Sequence, residues 1–175
     1  AVEELKNIGV EAMITIGSCG AVQPFVKVGD LVIVSAAVRD DGASQTYVNL
    51  KYPAVPDTFL LNCCIEAAKE NGFPFHIGLA RSHDSFYIDD EDEINAFWAK
   101  RGVLGSDMET SALFTVGMLR GVKTASILNN VVACGEDTFD SISNYADGES
   151  LAMTGERNEI LTALEAFVKL DKAGK

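Results

Sequence analysis

Two carboxylates stand two residues apart in the stretch Gly102-Val-Leu-Gly-Ser-Asp-Met-Glu-Thr-Ser-Ala-Leu113. A short apolar run with two glycines precedes Asp107 and Glu109, and an apolar pattern at helical spacing follows them. This reads as a buried strand, a tight turn and the first turn of a helix running from Asp107 to about Arg120. In open α/β sheets such junctions, at the carboxyl ends of strands, are where ligands bind. A carboxylate held there can accept two hydrogen bonds from neighbouring hydroxyls, as in a sugar diol. The competing reading makes Asp107 an N-cap and Glu109 a first-turn acid favoured by the helix dipole.

A second constellation lies in Val10-Glu-Ala-Met-Ile-Thr-Ile-Gly-Ser-Cys-Gly20. A β-branched run leads into Gly-Ser-Cys-Gly, which reads as a buried strand and a glycine turn. Such a turn can aim backbone N–H groups and the Ser18 hydroxyl at an anion; the alternative is a plain turn. A third is the amide pair Asn129-Asn130 inside an apolar strand, where Asn130 can offer a base edge both a donor and an acceptor. Cys19 has no neighbouring base in the sequence and is not expected to act as a nucleophile.

The elements that must position these residues alternate between strand and helix. Val28-Gly-Asp-Leu-Val-Ile-Val-Ser35 reads as a turn and a strand, Arg39–Ser44 as a polar loop, and Tyr52-Pro-Ala-Val-Pro-Asp57 as a rigid loop. Asp57 caps a helix from about Thr58 to Glu70 that Asn71-Gly72 ends. His76–Ser82 is a strand and Asp84–Tyr87 a loop. The acidic run Asp89–Glu93 opens a solvated helix carrying Ile94, Phe97 and Trp98. Lys123–Val132 is a strand, Gly135–Glu149 a mobile loop, and Ser150 to about Lys169 a closing amphipathic helix. The alternation predicts an α/β protein: a three-layer fold with a central mixed β-sheet flanked by helices.

At 175 residues the chain suits one domain spanning 1–175, with enough apolar residues (47%) for a real core. A formal net charge of −12 argues against a nucleic-acid partner, which would require clustered Lys and Arg. No apolar run approaches a membrane span and no signal peptide is visible, so a cytoplasmic protein without a membrane partner is expected. The four cysteines read as reduced thiols, and two histidines are too few for a multi-histidine metal site. The chain opens on Ala1-Val-Glu-Glu-Leu-Lys-Asn-Ile-Gly9, inside a helical pattern and without an initiator Met. An N-terminally truncated fragment of a longer protein is the expectation.

Assembled in order, Ile16-Gly-Ser-Cys-Gly20, Val28-Gly-Asp-Leu-Val-Ile33, Arg39–Ser44, Tyr52–Asp57, Ser82-His-Asp-Ser-Phe-Tyr87 and Asp107-Met-Glu109 resemble the nucleoside phosphorylase family that holds uridine phosphorylase and the hexameric purine nucleoside phosphorylases. The resemblance covers nearly the whole chain. It implies cleavage of a nucleoside by inorganic phosphate to a free base and ribose 1-phosphate, with phosphate as co-substrate and no other cofactor. It implies that Ser18 touches phosphate, that Met108 and Glu109, with Asp107 beside them, hold the ribose, and that Glu109 accepts from the sugar hydroxyls. Phe86, with Cys19 and Gly20, would line the base. It also implies a homo-oligomer, dimer to hexamer, with sites shared across an interface.

The departures from the pattern are specific. Thr15 stands where the family commonly places a phosphate-binding Arg, and Asp107 where it more often has Glu. Asp89-Asp-Glu-Asp92 replaces the Gln and Arg that read uracil in uridine-specific members. Val131 and Val132 stand where the purine enzymes carry an Asp acid. The loops Asp41–Ser44 and Tyr52–Val55 are closer to uridine phosphorylase, so a uridine-like substrate with weak base discrimination is expected. The alternatives are a purine nucleoside phosphorylase, a nucleosidase using water, and a binding protein without catalysis.

Overall fold

A computed structural model describes residues 1–136, 138–148 and 150–174, with the Phe139 side chain left out. Five strands and seven helices are formed among the described residues: α1 (Val2–Asn7), β1 (Ala12–Ala21), β2 (Leu31–Asp40), α2 (Gly42–Tyr47), α3 (Thr58–Asn71), β3 (Phe75–His83), α4 (Glu91–Ala99), β4 (Val103–Asp107), α5 (Thr110–Arg120), β5 (Lys123–Val132), α6 (Thr138–Ala146) and α7 (Ser150–Lys172). The expected mixed sheet covered by helices is present. The sheet also closes on itself in the order β1-β4-β3-β2-β5. Strands β2, β3 and β4 run parallel, as do β1 and β5, and the two groups meet antiparallel at both seams. The seams are short: β1 and β4 pair only at Gly20–Ser106 and Ala21–Gly105.

The helix boundaries follow local chemistry. Asp57 Oδ1 accepts from the Leu60 N–H at 2.8 Å and starts α3, and Gly72, at φ 69°, ends it. Helix α5 ends on Gly121, also left-handed at φ 64°. One cluster of buried side chains gathers Val32, Val34, Leu104, Leu113 and Phe114. A second joins Leu31, Ile33 and Ile127 to α3 and α7 through Leu60, Cys64, Ala163 and Ala166. Helix α7 comes unusually close to the sheet. A Cβ on Gly155 would lie 1.9 Å from Asn129 Oδ1 and 2.8 Å from the Gly29 Cα. Gly29, at φ 85°, sits under the Leu151 carbonyl, where a Cβ would come within 2.6 Å.

Three sequence expectations are corrected. Gly17–Gly20 is not a turn: it continues β1 in parallel register with Gly17↔Leu128 and Cys19↔Asn130, with a register shift at Cys19/Gly20. Pairing with an already formed strand satisfies its backbone better than a turn would. The segment Arg39–Ser44 is strand end and helix rather than loop. Asp41 caps α2 through Ser44 N (2.6 Å) and Ser44 Oγ (2.8 Å), and Arg39 clamps the segment onto the carbonyls of Ser44, Val48, Asn49 and Tyr52 at 2.6–2.8 Å. The expected mobile loop over 135–149 contains α6; Asp137 and Glu149 lie outside the described residues. All four cysteines are free thiols, and no group of metal-ligating side chains forms among the described residues. No helix among the described residues is long and apolar enough to cross a membrane.

Candidate active site

The strand ends position two adjoining cavities. The smaller, about 150 Å³, is bounded by Ser18, Cys19, Asp107, Met108, Glu109 and Val131. The larger, about 620 Å³, extends over Arg81, Asn95, Asp92, Cys134 and Glu136. Gly20, His83, Phe86, Glu91, Ser106 and Val132 line both. Glu91 Oε1 accepts from Thr138 Oγ1 at 3.1 Å, tying α4 to α6 where both meet the two cavities.

Asp107 and Glu109 divide the two roles between them. Asp107 is 4% exposed, and both its oxygens are engaged. Oδ1 accepts from Ser82 Oγ at 2.5 Å, and Oδ2 from the Thr110 N–H at 2.8 Å and the Thr110 hydroxyl at 2.5 Å. It fastens the first turn of α5 from within β4, and it also lines the smaller cavity beside Met108 and Glu109. Glu109 differs: it is exposed, and among the described residues Oε2 accepts one long bond, 3.2 Å, from the Met108 N–H. Partial burial at the cavity wall, then the Asp107 charge behind it, raise the Glu109 carboxyl above its ordinary value. A carboxylate in that state gains most when a ligand donates hydrogen bonds to it.

Cys19 is 3% exposed, and burial, with the charges of Asp107 and Glu159, pushes its thiol far up. It is an inert wall rather than a nucleophile. His83 carries its proton on Nδ1, because that atom lies 2.8 Å from the Ser85 carbonyl, which only accepts. Burial, and then Arg81, push the His83 pKa down, which favours the neutral ring with Nε2 as its acceptor.

The sequence profile of the phosphorylase superfamily matches residues 1–156. The chain belongs to the phosphorylase superfamily. Within the superfamily it is 35% identical over 144 residues to guanosine phosphorylase of Halorubrum lacusprofundi, covering 81% of this chain and 59% of that one. It is 36% identical over 139 residues to uridine phosphorylase of Thermococcus kodakarensis, covering 73% of this chain and 50% of that one. The chain thus spans between half and three fifths of these relatives. The crystal structure of uridine phosphorylase from Vibrio fischeri ES114 superimposes with a TM-score of 0.87 at 44% identity, over 96% of this chain and 68% of that one.

The structure brings Ser18, Cys19, Gly20, Phe86, Asp107, Met108 and Glu109 to one place. Two expected residues are not there. Thr15 lines neither cavity, because residues three apart in a strand face opposite ways and lie about 10 Å apart. Asn130 is fully buried and lines neither cavity; its amide atoms have no partner among the described residues. Of the acidic run Asp89–Asp92, which stands where uridine-specific members read uracil, Asp89, Glu91 and Asp92 line the larger cavity and Asp90 does not. The sequence did not single out several polar lining residues, among them Arg81, His83, Asn95, Ser106 and Thr138. The Arg inside the apolar strand 76–82 was a signal for one of them, since a charge in a buried run requires a partner or a ligand.

Proposed function

We propose that this chain forms the nucleoside-cleaving part of a phosphorylase that converts a nucleoside and inorganic phosphate to a free base and ribose 1-phosphate. The observation that carries this reading is the contrast between two carboxylates that both line the small cavity beside Ser18 and Met108: the Asp107 oxygens are engaged by Ser82 and Thr110, while Glu109 accepts one long bond among the described residues. That cavity suits a ribose, and the larger one opening from it suits a base.

The chemistry follows from charge. As the glycosidic bond breaks, the sugar becomes oxocarbenium-like and its hydroxyls become more acidic. A carboxylate accepting from the diol strengthens its bonds at that moment, which lowers the barrier more than it stabilises the ground state. Phosphate on the Ser18 side supplies both the nucleophile and a counter-charge. No covalent enzyme intermediate is needed, in keeping with the inert Cys19.

The relatives' names support both uridine and guanosine as substrates, and the loop motifs favour uridine. We place the protein in a homo-oligomer, since no Lys or Arg among the described lining residues of the smaller cavity faces Ser18. The same observation favours a second reading, a nucleosidase in which water takes the place of phosphate. Base release by the full-length protein, assayed over uridine, thymidine, inosine and adenosine with and without phosphate, tests both. Release only with phosphate supports phosphorolysis, release without it supports the nucleosidase, and binding without release rejects both.

A further inference from the structure

Arg81 is the only Lys or Arg among the described residues that line either cavity, and it is 5% exposed. The register explains its place. Arg81 on β3 pairs with Ser106 on β4, which in turn pairs with Gly20 on β1. Side chains at paired positions share a face, so Arg81, Ser106 and, two residues on, His83 look into the same chamber. Asp40, the pairing partner of His83, holds the guanidinium from the side: its Oδ2 accepts from Arg81 Nε and Nη2, each at 2.7 Å. Two of the five guanidinium N–H groups are used in this way. The neighbouring Ser106 Oγ is buried and has no partner among the described residues. Four carboxylates line the same chamber, Asp89, Glu91, Asp92 and Glu136; Glu91 accepts from Thr138 and Glu136 from Ser141, and of the other two Asp92 lies within α4.

A guanidinium can only donate and a carboxylate can only accept. Lining one chamber, they complement an edge that presents a carbonyl beside a ring N–H. Uracil, hypoxanthine and guanine all have that edge. Cytosine and adenine present an amino donor beside a bare ring nitrogen, the reverse pattern, and would face both groups with the wrong partner. We propose that Arg81, held by Asp40 and joined in the chamber by Asp92, makes this site selective for nucleosides whose base carries an oxo–N–H edge, whether pyrimidine or purine. The inference rests on the phosphorylase reading above and names the substrate class of that same site. It also accounts for a pocket without the usual uracil-reading amide and arginine on the segment that follows Phe86 and Tyr87.

The test measures kcat/KM of the full-length protein for inosine against adenosine and uridine against cytidine, together with inhibition by the four free bases. In the unaltered protein, the oxo member of each pair is favoured. Arg81→Gln lowers kcat/KM for inosine and uridine by about 10- to 100-fold, the range for loss of a charged hydrogen bond, and leaves adenosine within a few-fold. Asp92→Asn narrows both ratios while preserving Arg81. An equal loss on all four nucleosides in a folded Arg81→Gln protein would make Arg81 a structural residue and overturn the proposal. If that variant does not fold, Asp92→Asn and base inhibition decide: unchanged ratios, or equal inhibition by hypoxanthine and adenine, overturn it. A protein that cleaves no nucleoside but is inhibited in ligand binding selectively by the oxo bases sinks the phosphorylase reading and keeps this one. Phosphorolysis with no preference for oxo bases does the reverse.

Discussion

Glu109 and Asp107 share one turn of backbone and differ in everything that matters for chemistry. Asp107 accepts from four donors of its own helix start and sheet, so Asp107→Asn would disturb folding before it disturbed binding. Glu109 has little internal work, and Glu109→Gln should leave the melting temperature nearly unchanged while raising the barrier by roughly 2–4 kcal/mol. Near-normal kcat/KM in a folded Glu109→Gln protein would remove it from the ribose. Its pKa is raised, first by burial and then by Asp107. Because the ionised form is the one that accepts from the diol, activity should fall as pH drops through a value above the ordinary 4.5. A pH–rate profile of kcat/KM flat down to that ordinary value would contradict this. Cys19→Ala should keep turnover within a few-fold, since the thiol is buried and protonated throughout the working range.

At the level of elements, the glycines matter where two backbones approach. Helix α7 reaches the sheet through Gly155, and Asn129 Nδ2 fastens it by donating to the Ala152 carbonyl at 2.8 Å. Gly155→Ala forces a methyl into Asn129 and the Gly29 backbone, and helix propensity alone would have favoured the change. Overpacking should win: destabilisation of about 1–3 kcal/mol is expected from urea unfolding, despite the gain in propensity. A variant at least as stable as the parent would show that α7 sits farther from the sheet. The bulge at Cys19/Gly20 is the second such device. It lets a strand that starts in regular parallel pairing with β5 turn and close against β4, bringing Gly20 beside Ser106.

For the molecule as a whole, one buried acid couples stability to pH. Glu159 on α7 is 4% exposed; burial raises its pKa to about 8, against the pull of the Gly17 N–H at 3.2 Å. The folded state therefore holds a proton that the unfolded chain releases near 4.5. Stability from this group is fully present below the lower value and is lost as pH rises to about 8. At about 1.4 kcal/mol per pH unit the loss amounts to a few kcal/mol. Urea midpoints at pH 5 and pH 8.5 should show that fall, and Glu159→Gln should flatten it; an unaltered slope in the variant would place the pH dependence elsewhere. Assembly belongs to this scale too. Ile160, Leu164, Phe167 and Val168 follow helical spacing along the exposed side of α7, apolar surface that a second copy would cover. Light scattering of the full-length protein should show at least a dimer, and a stable, active monomer would count against it.

The sequence by itself determined what depends on nearest neighbours along the chain. Capping by Asp57, the stops at Gly72 and Gly121, the strand-then-helix order and the motifs around Ser18, Phe86 and Glu109 are all local, and all were legible. Which of the two neighbouring carboxylates is engaged by the fold was not legible, because Ser82 and Ser126, from other strands, complete the network around Asp107 and Thr110. Nor was the fate of Gly17–Gly20, whose backbone is claimed by a strand more than a hundred residues later. Arg81 stood in plain view as a charge in an apolar run. That it faces the base chamber and not solvent follows only from the register of three strands, and register is a property of the closed sheet, which no single segment encodes.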